Sequence, residues 1–136
     1  MSIIRFSFLG FFDIINKVLR SVKENVLIRF VDKPYVTEKV AYKLPSIKWK
    51  MACGIGMTRF HFITLADNSK DLFDIYPAAV FKQKNIRRSD RVIIGVADSY
   101  SSATGLIEQM INECLEAGKK TEDFRGYFED FVRDHT

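Results

Sequence analysis

Apolar positions in the first third of the chain recur at two different periods. Ile4, Phe8, Phe11, Ile15, Val18 and Val22 step by four, three, four, three and four, and Phe12 and Leu19 widen the stripe. Asp13, Asn16, Lys17, Arg20, Lys23 and Glu24 fall opposite it. That spacing predicts an amphipathic helix from about 9 to 24, after a short strand at 2–7. From Val26 the period shortens to two. VLIRFVD (26–32), TEKVAYKL (37–44) and SIKWKMA (46–52) read as strands, punctuated by KPY and by Pro45, which cannot donate to a central ladder. In the third segment Ile47, Trp49 and Met51 alternate with Lys48 and Lys50. A strand there buries the apolar three, Trp49 included, and holds the two ammonium groups in water.

Further on, MTRFHFITLA (57–66) and LFDIY (72–76) flank DNSKD, a hairpin loop in which Asn68 can adopt a positive φ and Asp67 can bond its own backbone. Pro77 breaks or bends the path into AAVFK (78–82), read as another strand. RVIIGVA (91–97) is apolar without interruption, the pattern of a strand covered on both faces. Asp98 or Ser99 then caps a helix whose stripe is Ala103, Leu106, Ile107, Met110, Ile111 and Cys114, and Gly118 ends it. Thr121 caps a shorter helix carrying Phe124, Tyr127, Phe128, Phe131 and Val132, with Glu122 and Asp123 placed to complement its dipole.

The predicted architecture is a single α+β domain over residues 1–136. It has an N-terminal amphipathic helix, then about six or seven short, mostly antiparallel strands in a curved sheet or roll, then two C-terminal helices. In topology alone this order resembles pleckstrin-homology-like rolls, a likeness that fixes no function.

Composition narrows the class without naming an activity. With 47% hydrophobic and 28% charged residues the chain is of ordinary globular make-up, which argues against disordered, collagen-like and membrane-spanning classes. A chain of 136 residues buries about two-thirds of its unfolded surface, so it needs neither disulfide nor metal to fold. Twelve phenylalanines favour a well-packed, strand-rich core. The apolar N-terminal run has no small-x-small cleavage site and meets Asp13 before it reaches membrane-spanning length, so a soluble cytoplasmic protein is expected. Cys53 and Cys114 stand far apart and outside any ligand spacing, and the histidines number two, His61 and His135. No metal centre, disulfide framework or cofactor is therefore expected.

Several local arrangements resemble chemical sites and have simpler readings. Cys53 and His61 are the one nucleophile and base close in sequence, yet a turn at Gly54 to Gly56 separates them, and a half-exposed sheet histidine accounts for His61. CGIGM lacks the third glycine and the following helix of a dinucleotide fingerprint, so its glycines serve a turn or bulge. Asp67, Asp71 and Asp74 surround a hairpin with Lys70 among them and without calcium-loop spacing, as solvated turn acids do. In DSYSSATG the hydroxyls sit at a helix start without the lysine and glycines of a phosphate loop, which is the pattern of capping.

Charge is distributed unevenly. Residues 1–32 carry five cations and three acids, 33–91 twelve and five, and 92–136 four and nine, giving +2, +7 and −5. Such a dipolar molecule steers an acidic partner to one face or associates head to tail with itself. The densest basic run is KQKNIRRSDR, with Lys82, Lys84, Arg87, Arg88 and Arg91 against Asp90. Together with Lys48, Lys50 and Arg59 these are the candidate polyanion-binding residues, with Trp49, Tyr42 or Tyr76 as candidate stacking partners. A strand at 46–52 turns Trp49 inward and leaves a charge patch alone. Phe8, Phe11, Phe12 and Ile15 are the candidate contacts of an interaction helix, for a second copy or a protein partner. The leading expectation is a small non-enzymatic binding or protein-interaction module. The alternatives are nucleic-acid binding through 82–91 and an enzyme whose site is assembled from distant residues.

Overall fold

The computed structural model describes residues 28–52, 59–68, 70–82 and 91–136. The expected N-terminal helix, with Phe8, Phe11, Phe12 and Ile15, lies outside them. Strands β1 (Ile28–Val36), β2 (His61–Leu65), β3 (Phe73–Pro77) and β4 (Arg91–Ala97) form one mixed sheet in the order β1-β4-β2-β3. β1 runs parallel to β4, and β2 runs antiparallel to both β4 and β3. Among the described residues four α-helices accompany the sheet: α1 (Glu38–Ala41), α2 (Leu44–Ala52), α3 (Tyr100–Glu116) and α4 (Phe124–Asp134). The α+β class holds, with two helices near the C-terminus, but the described residues contain four strands, and they do not close into a roll.

The difference arises mainly between 37 and 52, where two expected strands are helices. Val40, Leu44, Ile47 and Met51 step by four, three and four, and Val40, Ile47 and Met51 are buried against Phe62, Ile93 and Val96 of the sheet. A helix satisfies all four positions, whereas a strand satisfies only the local alternation at 47, 49 and 51. Pro45 is the second residue of α2, where the missing N–H is not needed by the helix. Trp49 consequently turns outward and is 56% exposed. AAVFK is likewise a 3-10 turn, Ala78–Lys82, and not a strand.

β4 is the central strand that its apolar run predicts. Ile93 and Val96 face α1 and α2, while Ile94 and Ala97 face α3 and α4. A bulge against β2 shifts the register between Ile63 and Thr64, and Gly95 sits there. A Cβ at Gly95 would lie 2.9 Å from Ile63 Cδ1, so the close approach needs glycine. On the edge strand β1, Phe30 pairs with Ile93 and Tyr35 with Gly95, so the intervening residues bow out. Pro34 lies in that irregularity, where the sheet asks for no donor. The segment KPY therefore lies within β1 and does not divide two strands.

The second face is covered by α3 and α4. Ala103, Leu106, Met110 and Cys114 of α3 and Phe124 and Phe128 of α4 pack with Val31, Ile63, Ile94 and Ala97. Ser99 caps α3 by accepting from the Ser102 N–H at 3.1 Å. Gly118, with φ 81°, ends it as predicted: the Gly118 N–H donates to Leu115 O and the Lys119 N–H to Cys114 O. Thr121 opens a 3-10 turn before α4 and supplies no side-chain cap. The β2–β3 loop is held by Asn68 through its side chain rather than by a positive φ: Asn68 Oδ1 accepts from the N–H groups of Lys70 and Asp71. Arg125 of α4 fastens that loop, donating to the carbonyls of Ala66, Asn68 and Asp71 at 2.5, 2.9 and 3.0 Å. No described helix is long and apolar enough to cross a membrane.

Candidate functional site

The two parallel strands send the chain in opposite directions. After β1 it passes to α1 on one face of the sheet, and after β4 to α3 on the other. Diverging connections open a crevice outside the carboxyl ends of the strands, the place where open sheets with parallel strands collect ligands. A cleft of about 410 Å³ lies at this edge, lined by Lys39, Val40, Tyr42, Lys43, Arg59, Phe60 and Asp98. β2 contributes because it is antiparallel to β4, so that His61, at its start, pairs with Ala97 at the end of β4.

Three cations thus meet one carboxylate. The carboxylate is already engaged: Asp98 Oδ1 accepts from Thr37 Oγ1 at 3.5 Å. The Ser102 hydroxyl, a backbone amide, Lys39 and Thr37 together hold the Asp98 carboxyl below its usual range, against the opposing effect of desolvation. Asp98 therefore stays anionic at neutral pH, and the Lys39, Lys43 and Arg59 charges exceed it by two. Tyr42, at the turn between α1 and α2, is 74% exposed, and Lys43 Nζ stands 5.6 Å from its ring centroid. His61 lies at the same edge with its Nδ1 buried and without a hydrogen-bond partner among the described residues, its ring edge-on to Tyr100 at 6.4 Å.

The candidate polyanion residues fall in several places. Arg59 lines the cleft. Lys48 lies over the Phe30 ring, with Nζ 5.4 Å from its centroid, and Lys50 is exposed on α2. Lys82 ends the 3-10 turn that begins at the cleft edge, where the Ala78 N–H donates to Phe60 O. Arg91 opens β4 at the opposite edge of the sheet, beside Ile28. Seven strand residues at about 3.3 Å each separate that end from the cleft. Lys84, Arg87 and Arg88 lie outside the described residues, as does Cys53. Lys39 and Lys43, which line the cleft, are absent from the sequence-derived set. Their four-residue spacing is the signal that finds them, because on a helical path it brings both to one side.

Other clusters have simpler roles. Cys114 is a free, fully buried thiol whose pKa burial raises, an inert filler of the α3 interface. Asp71 accepts from Asn68 and Asp74 from the Tyr76 hydroxyl. A depression of about 610 Å³ on α4 is lined by Glu122, Asp123, Asp130 and Asp134 together with Lys119, Tyr127 and Phe131. Arg133 neutralises part of that acidity, 2.9 Å from Asp130 and 3.6 Å from Asp134. No group of three or more metal-ligating side chains occurs among the described residues.

The class defined by these features is a small α+β domain with a mixed four-stranded sheet and a cationic cleft at the carboxyl edge of its parallel pair. Set beside known proteins, the chain matches no family model, no curated protein and no solved structure.

Proposed function

We propose that the protein is a non-enzymatic binding module that holds an anionic group in the cleft between α1 and the end of β4. The observation that carries this reading is the convergence of Lys39, Lys43 and Arg59 on a cleft with one carboxylate, Asp98, which already accepts from Thr37 and is outnumbered three to one. Paired one to one with acids, three cations would make a structural network. Here the excess positive charge faces an open volume large enough for a phosphate- or carboxylate-bearing group. The cleft walls help: Phe60 and Val40 lower the local dielectric, which strengthens an ion contact relative to bulk water.

Calorimetric titration with tripolyphosphate tests the proposal. Binding should be saturable and should weaken with added salt. Lys39→Ala and Arg59→Ala should each cost about tenfold or more in affinity, the scale of one charge-assisted contact. Binding that is absent, or indifferent to both substitutions, refutes the assignment of the cleft.

A further inference from the structure

We infer that the anionic ligand is a single-stranded nucleic acid, with phosphates at the cleft and bases stacked on Trp49 and Tyr42; this rests on the cleft reading above. The helical course of 37–52 changes what its aromatics can do. On a strand Trp49 would sit beside Ile47 in the core, but on α2 it is 56% exposed, and Tyr42 in the preceding turn is 74% exposed. Among the described residues of this layer these are the two most exposed aromatic rings, and in sequence they lie among Lys39, Lys43, Lys48 and Lys50, with Glu38 as the one acid of the segment 37–52. From Lys43 to Trp49 the helix rises about 9 Å, a distance within the span of a few nucleotides.

Cations spaced among outward-facing rings are what a single strand requires, because its bases are unstacked and offer π-faces while its phosphates need neutralising. A duplex hides those faces, and an acidic peptide has no use for an exposed indole between lysines. Charge on the rest of the molecule favours the same approach. The opposite cover of the sheet, α3 and α4 with their connection, carries eight acids and four cations from Tyr100 onward, so a polyanion is repelled there and turned toward α1 and α2.

The experiment is a fluorescence-anisotropy titration with labelled oligothymidylate and oligouridylate across a salt series, on the full chain. With four cations engaged (Lys39, Lys43, Lys50 and Arg59), log K should fall against log salt with a slope near −3, at about −0.7 per phosphate contact. Lys39→Ala with Lys43→Ala should flatten the slope by about 1.4. Trp49→Ala should weaken binding roughly 5- to 150-fold with the slope unchanged, because stacking releases no counterions. Lys119→Ala with Lys120→Ala, on the acidic side, serves as the control and should leave both quantities as they are. All these side chains are exposed or line the open cleft, so circular dichroism should show the fold intact.

The inference is overturned if neither oligonucleotide binds at low ionic strength, if Trp49→Ala leaves affinity unchanged, or if duplex DNA binds as tightly as the single strand. Tripolyphosphate separates the two levels. If it binds while the oligonucleotides do not, the cleft reading stands and the nucleic-acid inference fails. If it does not bind either, both fail.

Discussion

Replacing Ile47 and Trp49 one at a time tests the course of the chain on which both the cleft and the stacking surface depend. On α2 the two side chains point in opposite directions, Ile47 being 2% exposed and Trp49 56%. Ile47→Ala leaves a cavity against Phe62, Ile93 and Val96, and substitutions of this kind cost about 2–5 kcal/mol. Trp49→Gln removes a ring that remains more than half in water and installs a better helix former. Its net cost should be about 1 kcal/mol or less. Were the segment a strand, the order would reverse: Trp49 would be the larger core side chain, with a cost of about 3–5 kcal/mol. Urea unfolding followed by circular dichroism measures both, and it is the suitable probe because Trp49 is the sole tryptophan. An accessible indole should also be quenched by iodide in the native state. A Trp49→Gln loss equal to or greater than that of Ile47→Ala would refute the helical assignment, and the site with it.

Two further outcomes follow from contacts that tie α3 and α4 to the sheet. Arg125→Lys should be poorly tolerated, at about 1.5–3 kcal/mol, because an ammonium cannot reproduce the fork that reaches three loop carbonyls, and hydrogen exchange should show faster opening of the Ala66–Leu72 loop. The Tyr35 hydroxyl donates to Glu113 Oε2 at 2.5 Å, and desolvation followed by that bond raises its pKa well above the ordinary tyrosine value of about 10. A raised folded pKa adds stability that is complete below the unfolded value and is lost as pH climbs past it, so the wild type should weaken above about pH 10, and Tyr35→Phe should lose part of that dependence along with about 1 kcal/mol of the plateau.

Legibility in the sequence tracked how many constraints pointed the same way. β4 was readable because an unbroken apolar run bounded by charge has few alternatives, and α3 because periodicity, the Ser99 cap and the Gly118 stop agree. The segment 37–52 was ambiguous because Ile47 and Met51 are four apart, a spacing that both periods accept. The alternation of Lys48 and Lys50 with Trp49 favoured the strand, and the more distant partners Val40 and Leu44 favoured the helix. The clamp by Arg125 and the Tyr35–Glu113 bond join residues 54 to 78 positions apart, and no local pattern announces such contacts. The cleft is half visible in the sequence. Charge alone points to Arg59, a strand period hides Lys39 and Lys43, and of the two cap candidates Asp98 and Ser99 it is Ser99 that caps α3, which leaves Asp98 to the cleft.

The uneven charge along the chain acquires its meaning from the layer order. The covers of the two sheet faces differ in the same sense: residues 37–52, with α1 and α2, carry four cations and one acid, and residues 100–136, with α3 and α4, carry four cations and eight acids, so a difference along the sequence becomes a difference between the described layers. The cleft lies where those two covers diverge, at the ends of β1 and β4, which gives Lys39, Lys43 and Arg59 a boundary position rather than a place in a uniform basic coat. A boundary of this kind orients as well as attracts: an anion drawn to the basic side is turned from the acidic one, and the steering weakens as salt shortens the screening length. KQKNIRRSDR adds to the positive field but enters β4 at the far edge, at Arg91. On the anion-binding reading proposed above, the testable cations at the cleft are therefore Lys39, Lys43 and Arg59, which line it.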